Sequence, residues 1–173
     1  MTKQELTECI DTYGRDIYSF CRHMTGNVQE AEELYQDTWL KTVELLESID
    51  STGNVKSYCL TVALRLWKNR KRKFAWRKRI AGTQDYLDDE GLEYISDDSP
   101  TSEEQILEKE RDRLVWNAVG ELPEKLKTVI LLYYMEELGI SQIAELAGVP
   151  VGTVKSRLYQ ARKLLEQKLE GVL

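Results

Sequence analysis

Apolar residues recur along this chain three or four positions apart, and the period stops wherever glycine, asparagine or proline intervenes. Leu6, Ile10, Tyr13, Ile17, Cys21 and Met24 predict a first helix over about Lys3–Met24, ended by Gly26 and Asn27. A second, over Val28–Glu47, turns Ala31, Leu34, Tyr35, Thr38, Thr42, Leu45 and Leu46 inward. Ser48 to Asn54 is a cluster of turn formers. Val55, Tyr58, Cys59, Val62, Ala63 and Leu66 then make the core face of a third helix, which runs on into a basic block. From Gly82 to Ser102 the period disappears. It returns in a helix capped by Ser102 and reaching Gly120, with Ile106, Leu107, Leu114, Val115 and Ala118 as candidates for burial. Pro123 opens the next helix at its first position, with Leu126, Val129, Ile130 and Tyr133 inward. The expectation is an all-α protein: two small helical domains, residues 1–80 and 105–173, joined by a flexible acidic linker, residues 81–104.

The most informative stretch is Ile140–Lys168. Ser141–Ala147 reads as a short helix with Ile143, Ala144 and Leu146 inward. Gly148, Val149 and Pro150 form a corner, where glycine accepts a positive φ and proline cannot continue the helix before it. A second helix starts near Val151 with Val154, Leu158, Ala161 and Leu165 on one face. At about 100° per residue the opposite face collects Ser156, Tyr159, Gln160 and Lys163, with Lys155 beside it and Arg157 and Arg162 at the flanks. Hydrogen-bonding groups at the centre and cations at the edges are what a helix needs to read base edges while holding phosphates. The blander alternative is a surface helix hairpin with a solvated basic face.

Charge sharpens the picture. The formal net charge is −6, yet Arg65–Arg79 holds nine cations and no acid, and Gly82–Glu104 holds nine acids and no base. Within the basic block Trp67, Phe74 and Trp76 interleave with the cations. A charge run alone is usually a solvated helix end. Rings among cations suit unpaired nucleic acid, where each stacked base is worth ~1–3 kcal/mol, comparable to the cost of unstacking it. The acidic run is a tether, a polyanionic mimic of nucleic acid, or a metal-binding loop, though its ligand order fits no calcium-loop pattern. On the second helix the polar face of Glu33, Gln36, Asp37 and Glu44 has Leu40 at its centre and Trp39 on its shoulder. An apolar centre ringed by acids suits a basic protein partner; an isolated exposed leucine is the simpler account.

Composition narrows the function class. The cysteines, Cys9, Cys21 and Cys59, are odd in number and far apart, which fits a reducing, cytoplasmic compartment and buried thiols rather than a disulfide framework or zinc site. No signal peptide and no apolar run long enough to cross a membrane is present. The lone His23 and scattered acids make no acid–base pair or metal cluster, and no phosphate-binding loop is visible, so no catalytic residues, metal or cofactor are expected.

The run LPEKLKTVILLYYMEELGISQIAELAGVPVGTVKSRLYQARKLL resembles the promoter-recognition domain of bacterial RNA polymerase sigma factors. VQEAEELYQDTWLK resembles that family's polymerase-docking segment, and GNVKSYCLTVALRLWKNRKRK the segment that melts and reads the upstream edge of the transcription bubble. Both domains in this order, with only a linker between them, are the build of the small extracytoplasmic-function (ECF) group of the sigma-70 family. The resemblance implies that Glu33, Gln36, Asp37, Trp39 and Leu40 meet the clamp coiled coil of the polymerase largest subunit, with the second-largest-subunit flap as a further contact. It implies that Arg65, Trp67, Lys68, Asn69, Arg70, Arg72 and Lys73 face the minus-ten element. Lys155, Ser156, Tyr159 and Gln160 would read the minus-thirty-five element, and Thr153, Arg157, Arg162 and Lys163 would hold its phosphates. The acidic linker would thread toward the RNA exit path, and an anti-sigma factor would mask these surfaces. Arg65 and Asn69 stand where the family often has Asn and Asp, so base preference at the minus-ten element does not carry over. Gly139 stands where a serine-like cap is usual, which predicts a frayed start to the helix after it. The alternative outside the family is a helix-turn-helix regulator that binds a palindrome without polymerase. A helical adaptor that binds no nucleic acid would tolerate loss of Lys155 or Arg157.

Overall fold

The computed structural model describes residues 1–82 and 102–171. The chain divides into two compact units, Met1–Asp89 and Glu90–Leu173. All regular structure among the described residues is helical. The expected acidic linker falls almost wholly on residues 83–101, outside the described residues.

In the first unit, α1 (Lys3–Thr25) begins with a capping box: Glu5 N–H donates to Thr2 Oγ1 and Thr2 N–H to Glu5 Oε2. It stops at Gly26, whose φ of 69° is the left-handed cap that glycine adopts without a Cβ penalty. Asn27 caps α2 (Val28–Glu44), and Asn54 caps α3 (Val55–Ala81). The three pack around Ile17, Phe20, Cys21, Met24, Ala31, Leu34, Cys59, Leu60, Ala63 and Leu64, all essentially without solvent contact. Thr38 and Thr42 share that core, their hydroxyls satisfied by the carbonyls of Leu34 and Thr38 one turn back.

Three expectations need correction here. α2 ends at Glu44 rather than Glu47, because Leu45 leaves the α-helical region and a short 3₁₀ turn, Leu46–Ser48, follows. Leu45 is consequently exposed instead of inward. On α3, Leu60 and Leu64 are buried, whereas Tyr58 and Leu66 are only partly so. Beyond Arg70, residues 71–77 are all exposed, so the second half of α3 presents its full circumference.

The second unit contains α4 (Glu103–Gly120), α5 (Glu124–Ile130), a π turn (Leu131–Met135), α6 (Ile140–Ala147) and α7 (Val151–Leu169). Its core gathers Val119, Leu122, Val129, Ile130, Leu131, Leu132, Ile143, Val154, Leu158 and Ala161. Pro123 is the cap of α5 rather than its first residue; its extended ψ of 144° turns its carbonyl to accept from Leu126 and Lys127 N–H. Ile106 and Leu107, expected inside, are exposed, because only the C-terminal part of α4 meets the rest of its unit. The start of α6 is not left bare by Gly139: Gln142 Oε1 accepts from Gly139 N–H at 3.0 Å, one half of a capping box. Gly148 at φ 68° closes α6, and Pro150 N-caps α7.

Candidate nucleic-acid and partner interfaces

On α7 the buried stripe of Val154, Leu158 and Ala161 fixes which side faces away from the core. Lys155, Ser156, Tyr159, Gln160 and Lys163 are exposed there, and Tyr159 keeps 67% of its surface. Thr153 and Arg157 sit half-buried at the edge. Arg162 is exposed but engaged: Nε donates to the Tyr134 hydroxyl at 2.8 Å, and the guanidinium lies 5.4 Å from the Tyr133 ring and 5.6 Å from the Tyr134 ring.

In the same unit an open groove of about 990 Å³ runs between α4, α5 and α7, floored by Val115, Trp116, Val119, Ile130 and Leu165 and rimmed by Arg162, Glu166 and Glu170. Sequence periodicity did not reveal it, since it forms where three helices diverge.

On the first unit the acidic and basic faces meet. Arg70 of α3 donates to Asp37 of α2 and lies 3.7 Å from Glu33. One residue from the minus-ten set is thus paired with two from the docking set. Leu40 stands at the centre of that acidic face with 61% of its surface exposed, alongside exposed Val43. Trp39 differs: it is buried against Tyr35, edge to face at 6.1 Å, and its Nε1–H has no acceptor. Trp67 is also buried, with Lys71 Nζ 4.8 Å over its ring. Its ring is therefore core, whereas Phe74 and Trp76 are both about two-thirds exposed. Arg65, Lys68, Asn69, Arg72 and Lys73 are exposed on α3.

Burial pushes the thiols up: Cys21 to about 12, Cys59 to about 11, and half-buried Cys9 in the same direction. Such groups stay protonated at neutral pH, which disfavours nucleophilic attack. Among the described residues, no three His, Cys, Asp or Glu side chains gather where they could hold a metal ion. No described helix is long and apolar enough to cross a membrane.

Residues 9–77 match Sigma-70 region 2, and residues 112–165 match Sigma-70, region 4. The ECF RNA polymerase sigma factor SigW of Bacillus subtilis is 31% identical over 172 residues, covering 95% of this chain and 89% of that protein. This chain belongs to the ECF sigma factors. The ECF RNA polymerase sigma-E factor of Haemophilus influenzae is 29% identical over 156 residues, covering 88% and 80%. Among solved structures, the sigma factor RpoE in complex with the anti-sigma factor NepR, from Bartonella quintana, matches with a TM-score of 0.73 at 22% identity, covering 98% of this chain and 96% of that one. CnrH in complex with the cytosolic domain of CnrY matches with a TM-score of 0.65 at 15% identity, covering 98% and 90%. Both are likenesses of fold. Region 2 of this ECF factor thus comprises most of α1 and α2 and the buried and basic parts of α3, and region 4 carries the helix-turn-helix of α6 and α7. The interhelical pairs of Arg70 and Arg162 were not foreseen; each joins residues far apart in sequence, and no local spacing signals them.

Proposed function

We propose that this ECF sigma factor engages its promoter through two separate faces and its polymerase through a third. Lys155, Ser156, Tyr159 and Gln160 read the minus-thirty-five element in the major groove, while Thr153, Arg157 and Lys163 hold phosphate. The exposed hydrogen-bonding face of α7, opposite a solvent-free stripe, carries this reading. Arg65, Lys68, Asn69, Arg72 and Lys73 on α3 track the minus-ten strand, and Phe74 and Trp76 offer faces to unpaired bases. Glu33, Gln36, Asp37 and Leu40 dock on the largest-subunit clamp coiled coil, with Trp39 holding that face from beneath. The apolar groove of the second unit accepts an amphipathic helix, and the second-largest-subunit flap is its assigned occupant.

Residues 1–80 and 105–173 act as the two binding domains, and residues 81–104 as the tether. Joining two weak sites raises avidity by ~10²–10⁴ when polymerase sets their separation. The protein works in the cytoplasm as an initiation factor, with polymerization left to its partner. An anti-sigma factor masks its surfaces, a reading supported by the similar fold of RpoE, which was solved in complex with the anti-sigma factor NepR. The test is promoter binding and in-vitro transcription with and without core polymerase on a pooled promoter library. Specific binding and a defined start site only with core support the reading. Tight specific binding to a palindrome without polymerase would instead mark an independent regulator.

A further inference from the structure

Arg162 is placed unlike the other cations of α7. It follows Ala161, a residue with no solvent contact, and lies roughly 80° around the helix from Val154 and about 110° from the centre of the reading face. It is also some 16 Å along the axis from Val151, beyond the first turns with which a recognition helix reaches bases. Its Nε–H is committed to the Tyr134 hydroxyl at 2.8 Å. Its guanidinium packs by two tyrosine rings that themselves meet edge to face, 4.9 Å apart at 74°. Both rings come from the π turn Leu131–Met135, and single π turns inside helices commonly mark functional positions. The wider turn brings two consecutive tyrosines to one guanidinium.

We infer that Arg162 is a positioning residue: with Tyr134 it sets the rotation of α7 in the promoter groove, and so the base preference at the minus-thirty-five element, rather than holding a phosphate. Arginine is suited to this and lysine is not, because the planar fork donates in plane and stacks at once, whereas an ammonium is a point charge on a flexible stem. A phosphate ligand contributes about one unit to the salt dependence of binding and leaves sequence preference alone. A residue that holds the helix at its working angle does the reverse.

This inference rests on α7 being the minus-thirty-five reader. Its test uses the full chain bound to core polymerase, on promoters with the preferred minus-thirty-five element and with single-base changes in it, across a salt series. Arg162→Lys and Tyr134→Phe are compared with Arg162→Ala, Arg157→Ala and Tyr159→Ala, and thermal melting of each variant establishes folding. Arg162→Lys and Tyr134→Phe should each lower the preferred-to-altered affinity ratio two- to ten-fold with an unchanged salt slope. If Arg162→Ala weakens all promoters alike, lowers the slope by about one unit, and is rescued by Arg162→Lys, the residue is a phosphate ligand and the inference fails. Wild-type discrimination in Tyr134→Phe beside a responsive Tyr159→Ala overturns it as well. Silence of Tyr159→Ala together with Arg157→Ala would remove α7 as the reader, and the inference would fall with that assignment.

Discussion

Trp39 and Leu40 are neighbours in sequence and opposites in energy. Trp39 is 8% exposed and packs edge to face against Tyr35, while Leu40 projects from the acidic face. Truncating a buried Trp to Ala costs ~3–5 kcal/mol through lost contact and a cavity. Because the indole N–H has no acceptor, Trp39→Phe gives up no hydrogen bond, and its cost should stay under about 2 kcal/mol. Urea unfolding of the two variants checks the order, and equal losses would show that the polar edge matters. Leu40→Ala should leave unfolding within about 0.5 kcal/mol of wild type and still weaken capture of core polymerase. Unaltered co-purification with core would remove Leu40 from the docking face. The cysteines act at this scale too. Burial raises Cys21 to about 12 and Cys59 to about 11 from an ordinary 9.0, so the folded state holds thiol protons that the unfolded state has released. Stability from these thiols is complete below about pH 9 and drains away as pH climbs toward 11 to 12. Between pH 9.5 and 10.5 the loss per thiol approaches ~1.4 kcal/mol per pH unit. Cys21→Ala should flatten the measured stability slope by one such increment, whatever it does to absolute stability; a slope equal to wild type would mean Cys21 is not held neutral.

At the scale of elements, the end of the first helix at Gly26 and the helix-turn-helix corner at Gly148 were legible because both depend on local chemistry, a glycine in a left-handed cap. Gly148→Ala meets no neighbour within 4 Å, so its whole effect is backbone strain at φ +68°. A loss of ~1–2 kcal/mol is expected, read by thermal melting, and a silent substitution would mean the corner relaxes. Burial was legible only where an element has partners along its length. Ile106 and Leu107 have helical spacing like any core pair, yet they lie on the part of α4 that its unit does not cover. Trp67 sits among cations in sequence but faces the core on α3. Such outcomes depend on which helices meet, and a one-dimensional period carries no record of that. The Arg70 pair with Asp37 and Glu33 has the same origin and a consequence for mutagenesis. As a partly exposed pair it adds at most ~1 kcal/mol to stability. Its position matters more. Asp37→Ala removes an acid of the proposed docking face and leaves Arg70 with only the longer contact to Glu33, so it should alter both polymerase capture and the minus-ten preference. Leu40→Ala should alter capture alone. Identical profiles for the two variants in minus-ten competition assays would show that the pair does not link the faces.

For the molecule as a whole, the charge pattern should set when DNA is bound. Two basic surfaces on a chain of net charge −6 should attract duplex weakly at physiological salt, where the screening length is about 8 Å and only nearby charges count. The acids that follow α3 in the chain are near enough in sequence to offset its cations. In the proposed reading, polymerase supplies a basic place for the acidic run. Replacing Asp85, Asp88, Asp89, Glu90, Glu93, Asp97 and Asp98 with their amides changes the formal net charge from −6 to +1 without touching any helix described. The variant should bind duplex of arbitrary sequence several-fold more tightly in the absence of polymerase, with the gain shrinking as salt rises. Fluorescence anisotropy with a non-promoter duplex at two salt concentrations measures both quantities. Affinity equal to wild type at low salt would mean that the free chain is kept off DNA by the small size of each reading surface, and that the acidic run contributes only reach.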